Sequence, residues 1–234
     1  MSNDAGMLTT LFLGLLLGIR HALDADHVVA VTAIVSQSRH TLRSVLVGIS
    51  WGLGHSIALL TAGFVMLVFR LTVPDRLALS LEFAVGIMLV LLGVPLLWRL
   101  RKAHVHVHQH AGETHVHPHS HSGSPSHDHI HLRRPLLVGI VHGLAGSGAL
   151  TLLVLGVMPS MMQGLLFLLM FAAGTILGML VFSGLISLPF RVAGRHSVRL
   201  NLWLQGLAGA ASIVLGILVM WQTGAESSLF GFLA

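Results

Sequence analysis

Six stretches of 20 or more mostly apolar residues dominate the sequence, at roughly 7–36, 44–69, 77–98, 135–157, 162–190 and 200–221. A hydrocarbon core about 30 Å thick is crossed by about 20 such residues in a helix, where helical hydrogen bonds satisfy a backbone that no water reaches. Each stretch is therefore predicted to be a transmembrane helix. Only 9% of the 234 residues are charged and 54% are hydrophobic, against about 25% charged in ordinary soluble domains, so a water-facing surface could not be covered. The fold class that follows is all-α: a polytopic membrane protein of six spans whose solvent is the lipid bilayer. Residues 1–20 carry Asp4 and no Lys or Arg before Arg20. They read as the start of the first span rather than as a cleaved signal.

The basic residues give the direction of those spans. Arg70 and Arg76 fall on one side, whereas Arg39, Arg43, Arg99, Arg101, Lys102, Arg133, Arg134, Arg191, Arg195 and Arg199 fall on the other, with Arg20 inside the first span. The positive-inside rule then places both termini outside and the loop Arg99–Arg134 in the cytoplasm, as in a multi-pass protein of a bacterial inner membrane. The net charge of +5 is a matter of topology, since no basic domain or aromatic stretch accompanies it and nucleic acid is not an expected partner.

The two halves of the chain resemble each other. Leu15-Leu16-Leu17-Gly18-Ile19-Arg20-His21-Ala22-Leu23 matches Leu136-Leu137-Val138-Gly139-Ile140-Val141-His142-Gly143-Leu144 at an offset of 121, and Gly54 falls near Gly174. Gly86, Gly93 and Trp98 fall on Gly209, Gly216 and Trp221 at an offset of 123. Three spans per copy invert the second copy in the membrane. The expected organisation is a 3+3 inverted repeat, residues 1–98 and 135–234, joined by a loop over 99–134, with a site near the midplane.

The first span carries Arg20-His21-Ala22-Leu23-Asp24-Ala25-Asp26-His27, five ionisable side chains in an otherwise apolar helix. Each charge at bilayer centre costs about 2.5–3.5 kcal/mol, so such a cluster marks a functional site. With no cysteine in the chain, thiolate ligands and thiol nucleophiles are excluded, and any metal site is built from nitrogen and oxygen. His21, Asp24, Asp26 and His27 are candidate ligands. At 100° per residue, His21, Asp24 and His27 share one face while Asp26 points away, so either Asp26 reaches a second helix or the segment is unwound. His55, in Gly52-Leu53-Gly54-His55-Ser56, is the leading further ligand. His142, Ser56 and Ser147 are candidates for the path, and Glu82, Asn201 and Gln205 for helix–helix hydrogen bonds. Neutral imidazoles with carboxylates suit nickel, cobalt or zinc.

The loop adds a second histidine feature: His104, His106, His108, His110, His115, His117, His119, His121, His127, His129 and His131, among Gly, Ser and Pro. By composition it is a disordered auxiliary metal tract, suited to buffering or delivery because it imposes no geometry. A cytoplasmic metallochaperone is a candidate partner.

The segment from His21 to His27 is an H-x-x-x-x-D-H signature preceded by Arg20, and with Gly54-His55-Ser56 it resembles the nickel/cobalt transporter (NiCoT) superfamily. That resemblance implies that His21, Asp26 and His27 serve metal transport, with Asp24 a further match and His55 near the path. It also implies a permease that takes Ni²⁺ or Co²⁺ as substrate and needs no organic cofactor. Many importers of that family have about eight spans, so the shorter accessory-type permeases linked to nickel enzymes such as urease or hydrogenase are the implied relatives. Uptake is the expected direction and efflux of the same metals the alternative. A membrane metalloenzyme is a second alternative, disfavoured because the H-E-x-x-H pattern is absent.

Overall fold

The computed structural model describes residues 2–38, 40–71, 73–102, 104–110, 113–119, 132–158 and 160–226. Among them are seven α-helices: α1 (Ser2–His21), α2 (Ala25–Val35), α3 (Thr41–Phe69), α4 (Asp75–Lys102), α5 (Arg133–Val157), α6 (Met161–His196) and α7 (Val198–Trp221), the last followed by a π-helical turn, Gln222–Glu226. Among the described residues, Thr41–Phe69, Asp75–Trp98, Met161–His196 and Val198–Gly224 are long and apolar enough to cross a membrane. A fifth span is added if Gly6–His21 and Ala25–Val35 act as one. The chain is a multi-pass membrane protein. Of the six expected spans, the fourth falls on α5, a helix of 25 residues outside that set.

The first expected span is not one continuous helix. It breaks at Ala22–Asp24 and bends by 55°. The amides of Leu23 and Asp24 reach back only three residues, to Arg20 and His21, at 2.9 and 3.0 Å. Asp24 then turns extended (φ −62°, ψ 148°) as the residue before α2, yet its carboxylate does not cap that helix. One orphan amide of the new helix start, that of His27, is met instead by Asp26, whose Oδ1 accepts from it at 3.0 Å.

Between α4 and α5, the backbone over His104–His110 and Glu113–His119 pairs as an antiparallel hairpin, β1 with β2. Composition predicted irregular chain here. The departure has a reason in the pattern: His alternates with Val, Gln or Thr, and a two-residue period with β-branched members is what a strand accommodates. His121, His127, His129 and His131 lie outside the described residues.

The helices approach closely through small residues, as expected where lipid offers no hydrophobic drive for helix association. A Cβ on Gly18 would strike the Phe171 carbonyl of α6, and one on Gly174 the Leu15 carbonyl of α1. On the other side of the bundle, a Cβ on Gly139 would strike the Trp51 carbonyl of α3, and one on Gly54 the Leu136 carbonyl of α5. Helices α4 and α7 meet through Gly93 against Gly209 and Gly86 against Gly216, and Ser212 Oγ donates to the Leu89 carbonyl at 2.7 Å. Outward-facing Phe12, Leu91, Trp203 and Leu207 remain exposed, as side chains turned to lipid do.

Candidate metal centre

The break after α1 decides where the histidines go. It ends one helix on His21 and begins another two residues before His27, so the bend folds the two rings toward each other with centroids 4.6 Å apart. His55, on α3, stands 5.2 Å from His21 and 5.1 Å from His27. His142, on α5, stands 4.3 Å from His27. Gly143 brings α5 against the His55 backbone, since a Cβ there would strike the His55 carbonyl. Four histidines from four helices thus share one pocket, and His27, His55 and His142 are 0, 1 and 3% exposed.

The two aspartates have different tasks. A carboxylate only accepts, so His21 Nδ1 donates to Asp24 Oδ2 at 2.7 Å, and His142 Nε2 donates to Asp26 Oδ2 at 2.8 Å. Asp24 is half exposed and orients the His21 ring, leaving Nε2 as the free nitrogen. It was expected as a ligand; its carboxylate faces the back of the ring instead, an arrangement that fixes tautomer and direction in metal sites. Asp26 sits inside the cluster, held on one oxygen by the His27 amide and on the other by His142. Both alternatives posed by the helical arc are realised, because the helix is broken and Asp26 also reaches a second helix.

What the pocket lacks is hydrogen-bond partners for its nitrogens. His21 Nε2, both ring nitrogens of His27, both of His55, and His142 Nδ1 are buried with none. Each unsatisfied buried polar atom costs about 1–3 kcal/mol, so six in one place suit a ligand with strong affinity for imidazole nitrogen. A divalent first-row cation is such a ligand. Two triplets, His21–His27–His55 and Asp26–His27–His142, each bring their donor atoms within 4.8 Å of one another.

A cavity of about 350 Å³ reaches this cluster along α4, α5 and the end of α7, lined by His21, Asp26 and His142 together with Glu82, Gln222 and Thr223. Glu82, expected at a helix–helix hydrogen bond, lies in the wall of this cavity. In the other direction along α2, beyond His27, the core is apolar and closed by Val31, Val35, Val47, Trp51, Leu89 and Met179. A second cavity, of about 550 Å³, lies past that layer, with Arg191, Arg195, Asn201 and Gln205 in its wall. Arg191 also donates to Thr41 Oγ1, tying the end of α6 to the start of α3.

Of the other expected residues, Ser56 is buried and its Oγ donates to the Ala172 carbonyl at 3.2 Å, a contact between α3 and α6. The side chain of Ser147 lies outside the described residues, as do those of the hairpin histidines. Sequence reasoning missed Trp51, which is fully buried and packs 6.3 Å from His27 and 6.0 Å from His142 by ring centroid. Its position four residues before His55, on the same helical face, was the signal.

Comparison with known proteins sets this arrangement among relatives. Residues 71–218 match the family model described as the cytochrome C biogenesis protein transmembrane region. The urease accessory protein UreH of Bacillus sp. (strain TB-90) is 39% identical over 228 residues, covering 97% of each chain. The chloroplast protein FOR GROWTH AND FERTILITY 1 of Arabidopsis thaliana is 26% identical over 97% of this chain and 62% of its own. No solved structure matches. The family is one of membrane and accessory proteins rather than enzymes, and with no cysteine this member has no thiols for disulfide exchange. On the extent of these matches, the chain belongs to the cytochrome C biogenesis transmembrane-region family and is similar over nearly its whole length to the urease accessory protein UreH.

Proposed function

We propose that the chain is a permease that carries Ni²⁺ across a bacterial inner membrane to supply a nickel enzyme, with Co²⁺ a competing substrate. The observation that carries this reading is the set of six buried, unpartnered imidazole nitrogens beside Asp26. Nitrogen-rich sites suit nickel, cobalt and zinc alike, and kinship with a urease accessory protein favours nickel because urease is a nickel enzyme. The H-x-x-x-x-D-H segment, read as that of the NiCoT superfamily, supports the same substrate.

The architecture of this reading is six spans in a 3+3 inverted repeat. Its support is reciprocal packing: α1 lies on α6 as α5 lies on α3, with Gly18 and Gly139, and Leu15 and Leu136, in corresponding contacts. The α4–α7 pair is its own counterpart, since the bonded Leu89 and Ser212 are themselves 123 apart. The metal lies where the halves meet. Both termini are extracytoplasmic, so the Glu82 cavity faces outward and the apolar layer around Trp51 closes the cytoplasmic side. A divalent ion moving inward gains about 2 × 2.3 kcal/mol per 100 mV, which supports uptake without ATP. The histidines of 104–131 are a cytoplasmic receiver, from which a metallochaperone could take the ion.

The test is ⁶³Ni and ⁵⁷Co flux in both directions through reconstituted vesicles carrying an imposed potential. Inside-negative potential is expected to drive accumulation of ⁶³Ni. Flux only outward against the potential would reverse the direction, and no flux of either metal would remove the permease reading. Asp24→Asn keeps shape but weakens orientation of His21. It is expected to raise the KM for nickel about tenfold, the lower end for loss of a partner behind a ligand, with the maximal rate within about twofold.

A further inference from the structure

Resting on the permease reading above, we propose that the cluster is two overlapping coordination positions that share His27, and that the ion passes from one to the other by exchanging its remaining ligands around that ring. The first position is Asp26–His27–His142 and the second is His21–His27–His55. Their memberships differ in access by one ring: His21, Asp26 and His142 all line the Glu82 cavity, whereas His55, like the shared His27, does not. The two positions also differ in chemistry, one offering a carboxylate and two imidazoles, the other three imidazoles.

The geometry favours two positions over one composite site. Within each triplet the donor atoms lie within 4.8 Å of one another, but no single grouping gathers all five residues, and the His55 and His142 rings are 6.0 Å apart. A first-row ion with bonds of about 2.0–2.2 Å spans donors no more than about 4.4 Å apart, so it draws in one triplet at a time. Asp26 Oδ2 and His142 Nε2, 2.8 Å apart, share a proton in the metal-free state, so an ion coordinated by both displaces that proton. Two divalent ions on either side of His27 would repel strongly with Asp26 the only carboxylate in either triplet, so one ion occupies the pair at a time.

The division also fits transport. An ion held by every donor at once would leave slowly, while one that always keeps His27 trades its other ligands in pairs. The step exchanges Asp26 and His142 for His21 and His55, taking the ion from a position with a carboxylate to one of imidazoles alone.

The test uses Co²⁺ alone as probe, bound in nanodiscs to the full chain carrying serine in place of the eleven loop histidines of 104–131, the reference called wild type below, read by its visible spectrum and by stoichiometry, with ⁶³Ni flux measured in parallel. Wild type is expected to bind one Co²⁺ per chain. His55→Gln and His142→Gln are each expected to keep one Co²⁺, with affinity lowered about tenfold or more, with spectra that differ from each other as one set gains and the other loses the carboxylate, and with flux lost in both. Two ions per wild-type chain, or loss of all binding in either variant while size-exclusion and thermal melting show it folded, would overturn the relay. Asp26→Asn serves where His142→Gln does not fold, with the same expected retention on the three-imidazole position. Normal wild-type flux with such a result leaves the permease reading standing, whereas wild type that neither binds Co²⁺ nor moves ⁶³Ni removes both.

Discussion

Replacing His27 with Ala is expected to reduce nickel accumulation to the level of membranes without the protein and, unlike replacement of His55 or His142, to weaken both coordination positions at once. His27 belongs to both triplets, so its removal leaves two donors in each, and the affinity lost at each position is on the order of a hundredfold. The expected effect on the metal-free fold is small. Truncating a buried ring opens a cavity that costs about 3–5 kcal/mol in a packed core, but His27 carries two buried nitrogens with no partner, and eliminating them returns about 1–3 kcal/mol each. Thermal melting separates the two effects. Nickel at 100 times its Kd stabilises the wild type by about 2.7 kcal/mol, and the variant should melt near the metal-free wild type with or without nickel. A nickel-induced rise in Tm that survives in His27→Ala would place the ion elsewhere.

The membrane helices and the chemistry-bearing segment were readable because both are statements about composition against lipid. Ionisable residues are expensive in an apolar run, so His21 to His27 stood out without any structure. The helical period then said that one straight helix could not aim His21, Asp24, Asp26 and His27 together. It could not say that the chain would break at Ala22–Asp24, because nothing in Ala-Leu-Asp is a strong breaker such as Pro; the break is held locally by Asp24 on His21 and across to α5 by Asp26 on His142. Roles were less legible than membership. Asp24 and Asp26 are equivalent as letters, and only packing makes one an orienting group and the other part of the cluster. His142 could be proposed solely through its counterpart His21, since no acidic neighbour on its own helix marks it. Glu82 illustrates the converse: a lone acid in a span reads as helix glue until the cavity beside it is seen.

Gly18→Val and Gly139→Val are expected to fail alike, and more severely than any change at the outer faces. Each glycine lies three residues before a histidine of the cluster, His21 or His142, and each sets its helix directly against a neighbour's backbone, Phe171 on α6 or Trp51 on α3. A carbonyl cannot rotate aside as a side chain can, so the added methyl groups must be accommodated by moving one helix off the other. Overpacking in well-formed cores costs about 1–3 kcal/mol, and contact with main chain on both helices places these sites at or beyond the upper end. The displacement also carries the following histidine away from His27, so transport is lost even in molecules that remain folded. Because the chain has no cysteine, pairs introduced across α1–α6 and α3–α5 report helix spacing without background. Disulfide yield should fall at the α1–α6 pair in Gly18→Val and at the α3–α5 pair in Gly139→Val, each leaving the other pair intact. Gly6→Val is the control, since no atom lies within 4 Å of a Cβ there, and it should extract, run and transport as wild type. Equal losses at Gly18 and Gly139 are what corresponding positions of an inverted repeat require; a severe loss at one with tolerance at the other would mean that their similarity is only that of two glycine-rich helices.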